Sequence, residues 1–202
     1  MAKILISAFE PFGGESVNAS ANLLEQLQQQ KLDNHQLVPL LLPVEGFSAP
    51  EKLLQAWQAT RPDYLLMLGE AGGRAHITPE RIAVNLDDFP IEDNAGNQPR
   101  DKPVVAGAAA AYFSTLPVRE MVQQMQAAGV PAELSNSAGL YVCNRVFYCA
   151  MHYLHSRGAT TRAGFMHLPW LPEQVANKPA GTASMEAPLQ LKGILAAIAA
   201  LT

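Results

Sequence analysis

With 202 residues, 49% of them hydrophobic and 16% charged, the chain has the size and composition of one globular domain spanning residues 1–202 with a full core. A formal net charge of −4 gives no basic surface for nucleic acid or an anionic membrane, so small molecules or peptides are the expected partners. Two cysteines, no charged-then-apolar leader and no run of about 18 apolar residues argue for a reducing, cytoplasmic setting rather than secretion or membrane insertion.

Lys3 to Phe9 is a short, continuous apolar run of the kind that forms a central parallel strand, ended by Glu10 to Gly14. Phe9 and Phe12 flank a proline ahead of a glycine pair. Aromatics on such a loop either face a ligand at the carboxyl edge of a sheet or staple the entrance of the next helix. Asn18 and Ser20 precede that helix, Ala21 to Gln30. Gln36 to Leu42 is a second strand running into Pro43 and Val44. Ser48 to Thr60 is a helix with Leu53, Leu54 and Trp57 inward, and Asp63 to Gly69 is a third, wholly apolar strand. Strand and helix alternating at this spacing predict parallel strands joined by right-handed crossovers, hence a three-layer α/β/α sandwich with a mostly parallel central sheet.

The glycines of Gly69 to Arg74 permit close backbone approach to a ligand, with Arg74 nearby, but the turn has neither the P-loop nor the dinucleotide spacing. Glu80, beside Arg81 in the apolar run Ile77 to Asn85, reads by itself as a surface or ion-paired group. Leu86 to Pro99 is polar, turn-rich and too long for a connector, which predicts a lid or a hairpin excursion. Its acidic residues fit no EF-hand spacing and have no His or Cys beside them, so no metal site is expected.

Ala106 to Leu116 is ambiguous, Val118 to Ala128 is a helix, Pro131 to Ser135 a short strand and Asn136 to Gly139 its turn. Beyond Cys143, the residues Val146, Phe147, Ala150, Met151 and Leu154 recur at the period of one buried helical face, and Gly158 sits where the helix should stop. Cys143 therefore falls in the first helical turn, where the helix dipole and free backbone N–H groups favour a thiolate and can bind an oxyanion. These residues alone leave open whether Cys143 is a nucleophile or a packed, inert thiol; Cys149, in mid-helix, reads as core. Thr161 to His167 is another strand. His167 ends it on the same edge as the Phe9 loop and the turn before Cys143, which makes a Cys–His pair geometrically reasonable. His35, His76, His152 and His155 end no strand, and Ala187 to Leu201 is a last apolar-faced helix.

Five blocks, FEPFGG at 9–14, GGRxxITPERxA at 72–83, GNQP at 96–99, SNSAGxxVCN at 135–144 and GFMHLP at 164–169, together resemble the pyroglutamyl peptidases, or pyrrolidone carboxyl peptidases. The resemblance implies a cytoplasmic cysteine peptidase, usually a homotetramer on an α/β/α fold, that removes N-terminal pyroglutamyl residues from peptides by thiolate attack and thioester hydrolysis, with no metal or organic cofactor. It further implies Cys143 as nucleophile, His167 as base and Glu80 as the carboxylate that orients the imidazole. Phe9 and Phe12 would pack on the lactam ring, Val44, Ile91, Tyr141 and Val142 would line its pocket, and Asn18 would anchor its polar groups.

Two positions depart from the family pattern: many relatives carry glutamine at Glu70 and arginine at Pro90. A carboxylate facing an uncharged lactam is costly unless residue 70 uses only its backbone. Without the arginine, an oxyanion is left to the backbone near Cys143 and to Arg74 or Arg81. These departures leave a binding homologue without turnover as a competing reading, and the Gly-Gly-Arg turn leaves a phosphate-handling transferase similar to the nucleoside phosphorylases as another.

Overall fold

In the computed structural model, which describes residues 1–32 and 34–201, the opening apolar run forms β1 (Ala2–Phe9), followed by α1 (Ala19–Gln28), β2 (His35–Leu42), α2 (Ser48–Thr60) and β3 (Tyr64–Glu70). Three short strands come next, β4 (Thr78–Glu80), β5 (Ile82–Val84) and β6 (Ala111–Phe113), then α3 (Val118–Ala127), α4 (Val142–Ser156), β7 (Arg162–Leu168), α5 (Pro172–Val175) and α6 (Ala187–Ile198). The central sheet has the order β2-β1-β3-β7-β4, parallel except for β4, which runs antiparallel to β7; β5 and β6 form a separate antiparallel pair.

Because side chains alternate along a strand, the central strands feed two cores. Ile4, Ile6, Leu66 and Met166 pack with α1, α3 and α6 through Leu23, Met121 and Ile194; Leu5, Leu65, Met67 and Phe165 pack with α2 and α4 through Leu53, Trp57, Val146 and Phe147. Each such side chain, fully buried, contributes roughly 1.5–3 kcal/mol of transfer free energy. The result is the α/β/α sandwich with a mostly parallel sheet that the alternation of elements predicts.

Three differences from the sequence reading have physical causes. α1 starts at Ala19 because Asn18 is its N-cap, with Oδ1 accepting the Ser20 N–H at 2.9 Å. The strand expected at Pro131 to Ser135 is reduced to two parallel bridges, Ile77 with Ala132 and Glu80 with Ser135. Its rungs run Ile77 N–H to Pro131 O, Glu133 N–H to Ile77 O, Ser135 N–H to Pro79 O and Arg81 N–H to Ser135 O; the middle rung is absent because Pro79 has no N–H. The ambiguous 106–116 stretch resolves into β6, which pairs with β5 beside α4. Among the described residues no helix is long and apolar enough to cross a membrane.

Candidate active site

β3 and β7 are parallel neighbours in a register that sets Gly69 beside His167, and the reversed direction of β4 sets Thr78 opposite His167. The sheet thus carries the imidazole and Glu80 to one edge, where His167 Nδ1 lies 2.8 Å from Glu80 Oε1. Glu80 is fully buried and His167 is 3% exposed, with its ring 4.8 Å from that of Phe165. α4 brings its first turn over the same edge. There Cys143 is half-buried, and its sulfur packs against Gly69, where a side chain would crowd the sulfur and, more tightly, the Phe165 ring.

A cavity of about 430 Å³ opens over this edge and has both Cys143 and His167 in its wall. A larger hollow of about 560 Å³ lies at the opposite end of the strands, between Lys31, His35 and the end of α6, and holds neither of these side chains. Of the side chains expected to bind substrate, Phe9, Phe12, Asn18, Val44, Glu70, Tyr141 and Val142 line the first cavity. Phe12 tilts on Tyr141 with ring centroids 6.0 Å apart, and Tyr141 donates its hydroxyl proton to Glu92 O at 3.0 Å. Ile91 is placed elsewhere: it is 45% exposed, lies near Gly13, and is replaced in the wall by Pro90. The buried ring of Phe89, edge-on to Tyr141 at 4.8 Å, takes the inward position of that segment. Ala71, Gly72, Arg74, Ala138 and Gly139 also line the cavity. Gly72 and Arg74 carried a signal in the sequence, as did the turn that ends in Gly139, whereas Ala71 carried none.

Asn18 and Glu70 are more committed than their expected roles imply. Asn18 Oδ1 accepts from the N–H and hydroxyl of Ser20, and Nδ2 donates to Glu10 O at 3.1 Å, which leaves one amide hydrogen for a ligand. Glu70 turns its carboxylate to the start of α1: Oε2 accepts from Ala19 N–H at 2.7 Å and Gln174 Nε2 at 2.8 Å, and Oε1 accepts from Trp170 Nε1 at 2.9 Å. Burial pushes the Glu70 carboxyl up, against these three donors, which favour the anion.

The two arginines considered for an oxyanion are engaged as well. Arg74 donates Nη1 to Glu80 Oε1 at 2.6 Å and to Thr78 Oγ1, and Nη2 to Ser137 O at 3.0 Å; Arg81 donates to Asn136 Oδ1 at 3.2 Å. α4 has no side-chain cap at Tyr141, which leaves N–H groups of its first turn, where Cys143 lies, without a capping side chain.

The segment from Leu86 to Pro99 is an excursion whose base is the antiparallel bridge of Asp87 with Lys102. It is fastened to the cavity wall: Asn94 N–H donates to Val44 O at 2.9 Å, Gly46 N–H to Asp93 Oδ2 at 2.7 Å, and Asn94 Nδ2 to Pro11 O at 3.1 Å. Two of its carboxylates serve the same end, since Asp93 also accepts from Ala95 and Asn97, and buried Asp87 pairs with Arg145, which donates Nε to Gly46 O at 2.6 Å.

Burial opposes the ionisation of Glu80, but the hydrogen bond from His167, the charge that ring carries when protonated, and the hydrogen bond from Arg74 hold its carboxyl below the ordinary range. Burial lowers the His167 imidazole, and Arg74 adds to that, against the pull of Glu80. The Cys143 thiol is pushed up to about 12 by burial and then by the carboxylates of Glu80 and Glu70. Both directions favour the neutral thiol and the neutral imidazole at rest. Burial and the two carboxylates thus act on the sulfur against the pull of the helix N-terminus toward a thiolate.

The family model described as pyroglutamyl peptidase matches residues 2–202. The pyrrolidone-carboxylate peptidase of Vibrio vulnificus (strain CMCP6) is 48% identical over 186 residues, 92% of this chain and 87% of the relative. That of Thermoanaerobacter sp. (strain X514) is 42% identical over 196 residues, covering 97% of this chain and 96% of the relative. The crystal structure of pyroglutamyl peptidase I from Bacillus amyloliquefaciens aligns with a TM-score of 0.95 at 35% identity, over 98% of this chain and 94% of that one. With a family match along its length and relatives this similar in sequence and in fold, the chain belongs to the pyroglutamyl peptidase family.

Proposed function

We propose that the chain cleaves the amide bond that follows an N-terminal pyroglutamyl residue, with Cys143 as nucleophile, His167 as base and Glu80 as the carboxylate that orients it. One observation carries this reading: sulfur and imidazole share one cavity wall while Glu80 Oε1 sits 2.8 Å from the far ring nitrogen, His167 Nδ1. Nδ1 then keeps its hydrogen and Nε2 is left to accept a proton.

The chemistry starts from the neutral pair. As the sulfur attacks the acyl carbon attached to the lactam ring, His167 takes the thiol proton, and the imidazolium forms against ionised Glu80. N–H groups of the first turn of α4 face the developing oxyanion. The imidazolium gives its proton to the leaving amine, and water, deprotonated by His167, hydrolyses the thioester to free pyroglutamate and thiol. Phe9, Phe12, Val44, Tyr141 and Val142 offer apolar walls to a flat, uncharged ring. Such walls alone separate a lactam from proline weakly, so the remaining Asn18 N–H and main-chain groups around residue 70 carry the discrimination.

The unit of activity in this proposal is residues 1–202 as one catalytic domain, cytoplasmic and homotetrameric. Two free cysteines support the location, and exposed Phe47 and Phe113, the latter 73% exposed, support contact between copies. The phosphate-handling reading loses its basis, because the Arg74 guanidinium is taken up by Glu80, Thr78 and Ser137. Purified protein should release the fluorophore from a pyroglutamyl amide over many turnovers, and Cys143→Ser should not. Equal rates from both would end the claim, and saturable binding without product would leave a binding homologue. Light scattering on the eluting protein reads the tetramer.

A further inference from the structure

Arg74 leaves the Gly72-Gly73 turn and reaches back into the site, with its side chain 28% exposed. The oxygen that its Nη1 takes at 2.6 Å, Glu80 Oε1, is the one His167 Nδ1 binds at 2.8 Å. Its other two partners are also placed to matter. Thr78 is the ladder neighbour of His167, and Ser137 belongs to the turn that leads into α4 and Cys143.

A carboxylate as buried as Glu80 takes up a proton unless a cation compensates it. While the imidazole is neutral, the cation beside Glu80 is Arg74, whose Nη1 hydrogen bond adds to the stronger hold of the His167 hydrogen bond. Protonated Glu80 would no longer fix the His167 tautomer, and the base would lose its orientation. The same cation opposes the imidazolium that forms during attack, and so limits how basic His167 becomes. The groups facing the ring are Glu80 from β4, Arg74 from the turn after β3, Cys143 from α4 and the Phe165 ring; Glu70, at the end of β3, directs its carboxylate at Ala19, Trp170 and Gln174 instead.

We propose that Arg74 is a positioning residue of this site: by sharing Glu80 Oε1 with His167 it keeps the carboxylate ionised, holds down the proton affinity of the Glu80–His167 pair, and ties that pair to the turn that delivers Cys143. The inference deepens the thiol-peptidase reading and rests on it for the rate measurement, but not for the titration.

The test uses Arg74→Met, which removes the charge, and Arg74→Lys, which keeps charge without the fork. In Arg74→Met the acid limb of kcat/KM should move up by about one pH unit, because the pair holds its proton longer once the cation is gone. Rate on the plateau should fall about tenfold or more, mainly in kcat. Arg74→Lys should return the acid limb to its original position with only partial recovery of kcat, since one ammonium cannot span Glu80 and Ser137 as the guanidinium does. The His167 ring proton, followed by NMR in the Cys143→Ser protein with and without Arg74→Met, should show the same upward move without any turnover. An acid limb and a His167 titration that stay in place or move down in Arg74→Met overturn the proposal. A chain without peptidase activity, whose His167 titration still moves up, overturns only the assigned reaction.

Discussion

Cys143 Sγ rests against Gly69: a Cβ built at residue 69 would lie 3.0 Å from the sulfur and 2.7 Å from Phe165 Cζ. Since Gly69 is also the ladder neighbour of His167, the missing side chain lets the first turn of α4 settle beside the strand that flanks the base. Gly69→Ala should therefore push the sulfur out of line. We expect kcat/KM to fall about a hundredfold, out of proportion to an overpacking cost of roughly 1–3 kcal/mol. Full activity in a variant with only a lowered Tm would show that the sulfur does not depend on this contact.

A thiol pushed up to about 12 predicts slow alkylation of the free enzyme. The rate of iodoacetamide labelling at Cys143 should keep climbing with pH beyond 8 and show no plateau between pH 6 and 9. Cys149, pushed up by burial to about 11, is the internal comparison, separated by peptide mapping. A plateau for Cys143 below pH 8 would mean a preformed thiolate–imidazolium pair.

Acid should weaken the fold in two stages. His167 has its folded pKa below the ordinary 6.5, so the unfolded chain binds the proton first, and stability falls as pH drops below about 6.5 toward the folded value. Glu80, also lowered from 4.5, adds a second loss as pH falls below that value toward its folded pKa. Urea midpoints measured from pH 8 to pH 4 should decline through the first window in the parent and stay flatter there in His167→Gln. Identical slopes in both would remove His167 as the cause.

Three N–H donors converge on Glu70, an arrangement only a carboxylate satisfies completely. Glu70→Gln turns an amide N–H toward one of them and should cost about 1–3 kcal/mol. Trp170→Phe removes one donor, so the double variant should be less destabilised than the sum of the two single changes. Strict additivity in chemical denaturation would show that the indole and residue 70 are not coupled.

What the sequence made legible follows from how local each signal is. β1 and β3 are largely apolar runs, and α2 has the bounds its periodicity predicts, because burial leaves a pattern inside one window. β4, β5 and β6 have three residues each, too few for any period, and the rung lost at Pro79 depends on a partner in another segment. Phe9, Phe12, Cys143 and His167 carried local signals, whereas the roles of Asn18, Val44, Tyr141 and Val142 came only with the five blocks considered together. The charges were not readable: Ala19, Trp170 and Gln174 stand 51, 100 and 104 positions from Glu70, and Arg74 is withdrawn from solvent by a carboxylate and a carbonyl that only the fold brings within reach. The raised thiol has the same origin, since no local window contains the anions that surround it.

The order β2-β1-β3-β7-β4 inserts a late strand between two early ones. A nascent chain that has not yet extruded β7 has β3 and β4 as open borders and no imidazole for Glu80 to hold, so its sulfur remains an ordinary, unassisted thiol. In the proposed mechanism the Cys143 nucleophile is therefore assembled only once β7 has been made, and a chain halted before that point carries two unpaired strand borders in place of a complete site.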